Sequence, residues 1–187
     1  MKKDRPAIQK VFWIAEGVNN ETLGDFGKGV VLAAGQLSGK DQLTIVLHSS
    51  GGDVYAGLGI YDVLRSIVEA KPDLLLRTVA VGYVASIMVP IFLAGEYRVI
   101  TPNSSLKLHE LATHFKQGGC WSLTECQAEV SDLDYLQEQY IRIVTERSDG
   151  KLNERQVLDM IRKSTMLPAE RVVTLGLAHE IGPIPLA

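Results

Sequence analysis

A single serine stands in a segment whose pattern is typical of a strand that turns into a helix. Ser86 lies within residues 82–88 (GYVASIM), directly after the apolar run at residues 78–81. A tight turn exposes a hydroxyl, and the amides at the start of the following helix can stabilise an anion beside it. The pattern therefore indicates a candidate nucleophile. An isolated serine in such a run is otherwise most often a small buried residue of a packed turn.

Acyl transfer by a serine also requires hydrogen-bond donors that face the developing oxyanion. Gly51 and Gly52 follow an apolar run at residues 43–48 and precede a helical pattern. Because these residues lack side chains, their backbone amides can approach a ligand closely. The pair alone is equally typical of an ordinary glycine-rich turn, and neither common phosphate-binding motif is present.

A base is the second requirement, and one histidine is well placed for that role. His109 ends the strand-like run at residues 105–108 and precedes a polar segment, so its ring can reach a neighbouring strand's turn. His48, directly before the glycine turn, is an alternative base or a hydrogen-bonding neighbour, whereas His114 and His179 lie in less favourable positions. The spacing of His109 and His114 is poor for a metal site, and the sequence indicates no cofactor.

Composition limits the remaining possibilities. The 187 residues are 46% hydrophobic and 22% charged, which favours one domain spanning residues 1–187. A formal charge of -3 with scattered cations disfavours nucleic acid and anionic membranes as partners. Cys120 and Cys126 match no zinc or redox motif and indicate free thiols in a reducing compartment. No export signal is recognisable, so a cytoplasmic location is expected.

One uncharged stretch, residues 78–95, has the minimum length for a membrane span. It contains Gly82, Ser86 and Pro90, and it changes from β-branched residues to a helix-like second half. This change favours a buried strand followed by a buried helix over one spanning helix.

Apolar runs alternate with amphipathic stretches along the chain, which predicts an α/β fold with a mostly parallel sheet. The predicted strands cover residues 11–14, 43–48, 78–81, 97–100 and 106–109, with an edge strand ending at 181. The predicted helices cover residues 21–37, 55–68 and 122–146, with one capped by Asn153 and one opened by Pro168.

The order of the motifs resembles that of the Clp protease proteolytic subunit (ClpP) family. The matching segments are 49–52 (SSGG), 56–62 (AGLGIYD), 82–88, 102–103 (PN), 106–110 (LKLHE) and 167–170 (LPAE), within residues 11–181. The resemblance implies a ClpP/crotonase-like fold built from repeated β-β-α and βα units, with residues 122–146 as a protruding handle helix. It also implies a serine endopeptidase that cleaves unfolded proteins or peptides inside stacked homo-oligomeric rings.

The same resemblance gives roles to four residues of this chain. Ser86 corresponds to the nucleophile and His109 to the general base and acid. The backbone N–H groups of Gly52 and Ile87 correspond to the oxyanion hole.

The chain departs from the family's pattern at three places. One is the edge of the substrate groove, where Ser50 replaces the usual proline and Glu110-Leu111 replaces the usual Gln-Pro. The family's third triad member is an aspartate, and a match without gaps places Ser164 there, while Asp159 would require a shift in register. In addition, ten residues precede the predicted first strand, fewer than the segment from which the family builds its axial loops. Docking to an AAA+ unfoldase is therefore expected to differ from that of the family.

Three other interpretations remain open. A catalytically silent ring subunit is favoured by the missing aspartate and opposed by the presence of Ser86 and His109. An acyl-CoA enzyme of the crotonase type would use the same two amides, but the active-site turns lack a suitable pair of carboxylates. A signal-peptide peptidase with a Ser-Lys dyad has no well-placed lysine to support it.

Overall fold

Strands and helices alternate along the chain in a computed structural model that describes residues 8–112 and 120–185. The strands are β1 (Gln9–Ile14), β2 (Gln42–Ser49), β3 (Leu75–Ala85), β4 (Tyr97–Ile100), β5 (Ser105–Lys107), β6 (Met166–Pro168) and β7 (Glu180–Ile181). The helices are α1 (Asn20–Gln36), α2 (Val54–Ala70), α3 (Met88–Leu93), α4 (Leu123–Glu146), α5 (Glu154–Arg162) and α6 (Ala169–Thr174).

The sheet is mostly parallel, as the alternation of strands and helices predicted. Its main path runs β1-β2-β3-β4-β7, and every neighbouring pair along it is parallel. Helices α1, α2 and α3 connect the first four strands in turn, because parallel neighbours require a crossover. Residues 43–47 of β2 are fully buried, which explains their continuous apolar pattern.

Strand β3 divides its pairing between two neighbours. Its first half pairs with β4 over residues 77–80, and its end pairs with β5 over residues 83–85. Between them lies Gly82 at φ +64°, whose amide donates to Ser104 Oγ at 2.6 Å. A residue without Cβ adopts this backbone conformation readily. The bend brings the end of β3 beside β5 and away from β4.

The main core lies between the sheet and the helices that cover one of its faces. All six residues of α3 are buried, directly after the buried strand β3. The uncharged stretch at residues 78–95 is therefore a buried strand followed by a buried helix, as predicted. Across the two described ranges, we find no helix with the length and apolar character needed to cross a membrane.

Helix α4 leaves the body of the protein. Its 24 residues correspond to about 36 Å. Ser122 caps it through a reciprocal pair of hydrogen bonds with Glu125. Only its second half contributes to the core, through the buried residues Leu136, Tyr140, Ile143 and Val144. The predicted protruding helix is thus present, although its first turn begins at Leu123.

Most predicted elements are found within a few residues of their expected ends, and one strand was missed. Asn153 caps α5 and Pro168 precedes α6, as predicted. The predicted strand at residues 106–109 ends at Lys107, and Leu108 continues the pairing by one hydrogen bond, from its N–H to Thr165 O at 3.0 Å. Strand β6, antiparallel to β5, was not foreseen.

Candidate functional site

Ser86 occupies a strained turn between β3 and α3. Its φ is +57°, a left-handed value that a non-glycine residue adopts at a cost of roughly 1–3 kcal/mol. Two hydrogen bonds fix the turn: Ser86 N–H donates to Lys107 O at 3.1 Å, and Val89 N–H donates to Ser86 O at 2.9 Å. Nucleophilic serines in hydrolases occupy strained strand-to-helix turns of this kind. The predicted strand-to-helix setting of Ser86 is confirmed.

The glycine turn after β2 packs directly against this serine. A Cβ placed on Gly51, whose φ is +103°, would lie 2.7 Å from Ser86 Cβ and 3.2 Å from its Oγ. A Cβ on Gly52 would lie 2.2 Å from Val18 O. Both glycines are therefore required by close backbone approach, which brings this turn beside Ser86.

Two backbone amides beside this contact have no acceptor in the part of the chain that the structure describes. Val18 holds the turn by accepting from Asp53 N–H at 2.8 Å and donating to Gly51 O at 2.9 Å, and this arrangement leaves Gly52 N–H unused. Within residues 8–112 and 120–185, neither Gly52 N–H nor Ile87 N–H donates a hydrogen bond to protein. Since backbone donors inside proteins are almost always paired, these two are available to a ligand.

His109 lies two residues after β5, at the edge of the sheet where β3 also ends. The parallel register pairs Ala85 with Lys107, so the residues that follow the two strands are neighbours. His109 is half-buried, and its Nδ1 lies 2.7 Å from Glu110 O. A carbonyl oxygen only accepts, so Nδ1 carries the proton and Nε2 is left as the acceptor. The described hydrogen bonds include none between Ser86 and His109.

Ser164 and His109 both lie directly beyond the antiparallel pairing of β5 with β6. Strand β6 pairs Lys107 with Met166, and the hydrogen bond from Leu108 N–H to Thr165 O extends this register by one residue. Ser164 is exposed and has a φ of +47°, a conformation in which aspartate and asparagine are enriched. Strand β6, which the sequence did not predict, thus brings residues 164 and 109 to the same end of the β5–β6 pairing.

The alternative orienting carboxylate is engaged elsewhere. Asp159 lies on α5 and forms an ion pair with Lys163, with 2.7 Å between Oδ2 and Nζ. This i,i+4 pair is on an exposed helix face. No carboxylate of the described residues is hydrogen-bonded to His109.

The other described histidines belong to different parts of the sheet. His48 Nδ1 lies 3.0 Å from Val81 O and 3.3 Å from Tyr83 N, so it contacts the bend of β3. His179 Nδ1 accepts from Arg98 N–H at 2.9 Å. Burial and the nearby Arg98 guanidinium lower the pKa of His179. His114 lies outside the described residues.

A cleft of about 590 Å³ opens beside the glycine turn. It lies between the start of α2 and the middle of α4, and sequence reasoning missed it because its two walls are far apart in the chain. Its lining residues are Gly52, Asp53, Val54, Tyr55, Ala112, Glu129, Asp132, Leu133 and Leu136. Throughout the described ranges, no group of three or more His, Cys, Asp or Glu side chains could hold a metal ion.

The family model and two of the relatives that match this chain all belong to Clp protease. The Clp protease family model matches residues 10–184. ATP-dependent Clp protease proteolytic subunit 1 of Corynebacterium glutamicum is 26% identical over 175 residues, covering 92% of this chain and 79% of the relative. ATP-dependent Clp protease proteolytic subunit 2 of Synechococcus sp. (strain CC9605) is 29% identical over 159 residues, covering 84% and 73%.

Solved structures agree on the fold. ClpP1 from Listeria monocytogenes has a TM-score of 0.75 at 24% identity, covering 94% of this chain and 92% of that chain. An asparagine-to-aspartate variant of ClpP1 from the same organism has a TM-score of 0.79, also at 24% identity, covering 93% and 91%. The predicted ClpP fold is confirmed, and with the family match over residues 10–184 the chain belongs to the Clp protease family, a family of serine peptidases.

Proposed function

We propose that this chain is a serine endopeptidase that hydrolyses peptide bonds of unfolded proteins or peptides inside an oligomeric chamber. The arrangement around Ser86 is the main support. Its strained backbone packs against Gly51, and the N–H groups of Gly52 and Ile87 have no acceptor among the described residues. A serine with two available donors nearby fits acyl transfer.

The tautomer of His109 determines which ring nitrogen acts as the base in acyl transfer. Ser86 Oγ attacks the peptide carbonyl carbon while His109 Nε2, which the bond from Nδ1 to Glu110 O leaves as an acceptor, takes the hydroxyl proton. The oxyanion accepts from the amides of Gly52 and Ile87. When the tetrahedral intermediate collapses, the C–N bond breaks and the imidazolium donates its proton to the leaving amine. Water then attacks the acyl carbon while His109 Nε2 takes a proton from it. The bond between the acyl carbon and Ser86 Oγ breaks, and the imidazolium returns the proton to Oγ.

In this proposal, the groups that orient His109 are uncharged. The Glu110 carbonyl holds Nδ1 at 2.7 Å. The resemblance to the family assigns the third triad position to Ser164, which provides no carboxylate. A neutral acceptor fixes the tautomer but stabilises the imidazolium less than a carboxylate does. In a serine protease whose aspartate was replaced by asparagine, turnover fell by about 10⁴. We therefore expect slow hydrolysis.

Fluorophosphonate labelling tests the nucleophile directly. The intact mass of the assembled protein is measured after treatment with the probe, for the unmodified chain and for Ser86→Ala, His109→Ala and Ser50→Ala. One adduct that is lost in the first two variants and retained in Ser50→Ala, an exposed serine of the same region, supports the proposal. Labelling that persists in Ser86→Ala contradicts it.

A catalytically silent ring subunit is the second candidate, and the absence of a carboxylate bonded to His109 favours it. Such a chain would assemble but acquire no adduct at Ser86. It would also hydrolyse no peptide after long incubation. The labelling experiment therefore separates the two candidates.

Assembly and partner are part of the proposal. Large apolar side chains are exposed on α4, including Leu123 at 75%, Val130 at 57% and Tyr135 at 58%, which fits contact with another copy of the chain. The relatives described above are named as subunits of ATP-dependent proteases. We propose an AAA+ unfoldase as the partner. ATP-dependent degradation of an unfolded protein by the assembled chain with such an unfoldase tests this.

A further inference from the structure

We infer that the cleft beside Gly52 binds a lysine or arginine side chain of the substrate, close to the bond that Ser86 cleaves. This inference rests on the proposed peptidase function and adds a substrate class to it. The cleft combines an apolar floor with a carboxylate rim, and the described residues that line it include no cation.

The position of the cleft makes it part of the candidate site. Gly52 lines it, and the adjacent Gly51 lies so close to Ser86 that a Cβ would approach the serine's Cβ to 2.7 Å. A peptide whose carbonyl accepts from Gly52 N–H therefore places a neighbouring side chain in this cleft.

The floor of the cleft suits an aliphatic stem. Leu136 is buried, and Leu133 and Val54 are half-buried. Lysine and arginine place their methylene groups along apolar surfaces while their charged ends remain near water or a counter-charge. A short cationic or a purely polar side chain would leave this floor uncovered.

Three carboxylates surround the floor. Glu129 and Asp132 lie three residues apart on α4, on the same face as Leu133 and Leu136, and Asp53 stands opposite them at the start of α2. One oxygen of Asp53 caps α2 by accepting from Ala56 N–H at 2.7 Å.

Neither Glu129 nor Asp132 forms an ion pair with any residue of the described ranges. Like charges three residues apart are unfavourable for a helix, and a bound cation would relieve that repulsion. Within the described ranges, these two carboxylates therefore have no positively charged partner, and a cationic side chain of the substrate would provide one.

The acidic character continues along α4. A smaller cleft of about 200 Å³ shares Leu133 with the first and has Glu110 and Asp134 in its lining. Its described lining also includes no lysine, arginine or histidine. Peptides with more than one basic residue near the cleaved bond are therefore favoured over acidic ones.

Binding to the assembled Ser86→Ala protein tests the inference without turnover. Three fluorescent peptides differ at one residue, which is arginine, norleucine or glutamate, and their affinities are measured by anisotropy. We expect the arginine peptide to bind about tenfold more tightly than the norleucine peptide, since two partly exposed ion pairs supply effects of this size. Added salt should narrow the difference.

A matched pair of double variants identifies the groups responsible. Glu129→Gln with Asp132→Asn should abolish the preference for arginine. Glu138→Gln with Glu146→Gln removes the same charge from exposed positions of α4 outside the cleft and should preserve it. Equal affinities for the arginine and norleucine peptides, no binding of the arginine peptide, or a preference that survives the first double variant overturns the inference.

Fluorophosphonate labelling of the chain that retains Ser86 tests the peptidase function independently of the binding experiment. A labelled serine without a preference for arginine removes only the inference about the cleft. A preference for arginine without a labelled serine leaves a cation-binding cleft and contradicts the peptidase function.

Discussion

At the scale of single residues, the turn that holds Ser86 depends on the absence of a side chain at Gly51. An alanine there would have to adopt a φ of +103°, and its Cβ would lie 2.7 Å from Ser86 Cβ. We expect Gly51→Ala to lower the free energy of unfolding by about 2 kcal/mol or more and to abolish fluorophosphonate labelling. Urea unfolding and intact mass measure the two effects.

Gly24→Ala is the matched control. Gly24 lies inside α1, and a Cβ there would meet no atom within 4 Å. We expect this change to leave labelling intact and to raise the free energy of unfolding by about 0.5–1 kcal/mol, because alanine has the higher helix propensity. Equal effects of the two substitutions would show that the contact with Ser86 is unimportant.

Ser164 gives a second prediction at this scale. Aspartate suits its φ of +47°, and residues 164 and 109 both lie directly beyond the pairing of β5 with β6. If Ser86 and His109 act as proposed, Ser164→Asp should accelerate labelling and peptide hydrolysis by as much as about 10⁴, the size of the effect of a triad carboxylate. The initial rates of both reactions measure the change.

Ser164→Asn separates charge from backbone preference. Asparagine also tolerates the left-handed conformation but provides no negative charge. We expect its rates to stay near those of the unmodified chain. If the asparagine variant accelerates hydrolysis as much as the aspartate variant does, the role of an orienting carboxylate is wrong.

At the scale of elements, burial decided what the sequence could predict. Helix α3 and the middle of strand β2, residues 43–47, were recognisable because their residues are mostly apolar and all buried. Strand β6 has three residues, two of them exposed, and becomes a strand only because β5 pairs with it. A pattern of hydrophobicity carries no signal for such pairing.

The same limit applies to the candidate site. The turn at Ser86 could be predicted from one local segment. The approach of Gly51 to Ser86 and the pairing that brings residues 164 and 109 to one end of β5 and β6 depend on contacts between distant segments. The roles of Ser86, His109, Gly52 and Ile87 stay predictions until labelling tests them.

The junction of β4 and β7 predicts a dependence of stability on pH. His179 Nδ1 accepts from Arg98 N–H, its ring stacks on Tyr97, and Asp149 lies 3.8 Å from Nε2. Burial, followed by the positive charge of Arg98, lowers the pKa of His179 below its ordinary value of 6.5, although Asp149 opposes this. Between the two pKa values the unfolded chain binds more protons than the folded chain.

The contribution of His179 to stability is therefore complete above pH 6.5 and is lost as the pH falls through the lower folded-state pKa. We expect His179→Asn, which keeps an acceptor for Arg98 N–H but does not titrate, to reduce the loss of stability on acidification. Urea unfolding across this pH range measures the slope. An unchanged slope in the variant would contradict the assignment.

At the scale of the whole molecule, the sheet and helices bury a large main core, whereas the first half of α4 has no buried residue. Leu123 and Val130 lie seven residues apart and are exposed at 75% and 57%. Their spacing places them on one line of the helix. An isolated helix end with an apolar stripe favours association with a second copy of the chain, which would also enclose the candidate site in a chamber.

A charged residue on this stripe should therefore prevent assembly without unfolding the chain. We expect Val130→Glu to shift the mass in solution to a smaller species, while Ser131→Glu, one residue away on a different face of the same helix, should keep the assembled mass. Multi-angle light scattering measures the mass, and circular dichroism checks that both variants are folded. If Val130→Glu assembles like Ser131→Glu, the stripe on α4 is not the contact. Because Ser86 lies in the turn between β3 and α3 and not on α4, a dissociated Val130→Glu chain that still labels would show that the site forms within one subunit and that assembly supplies only the enclosure.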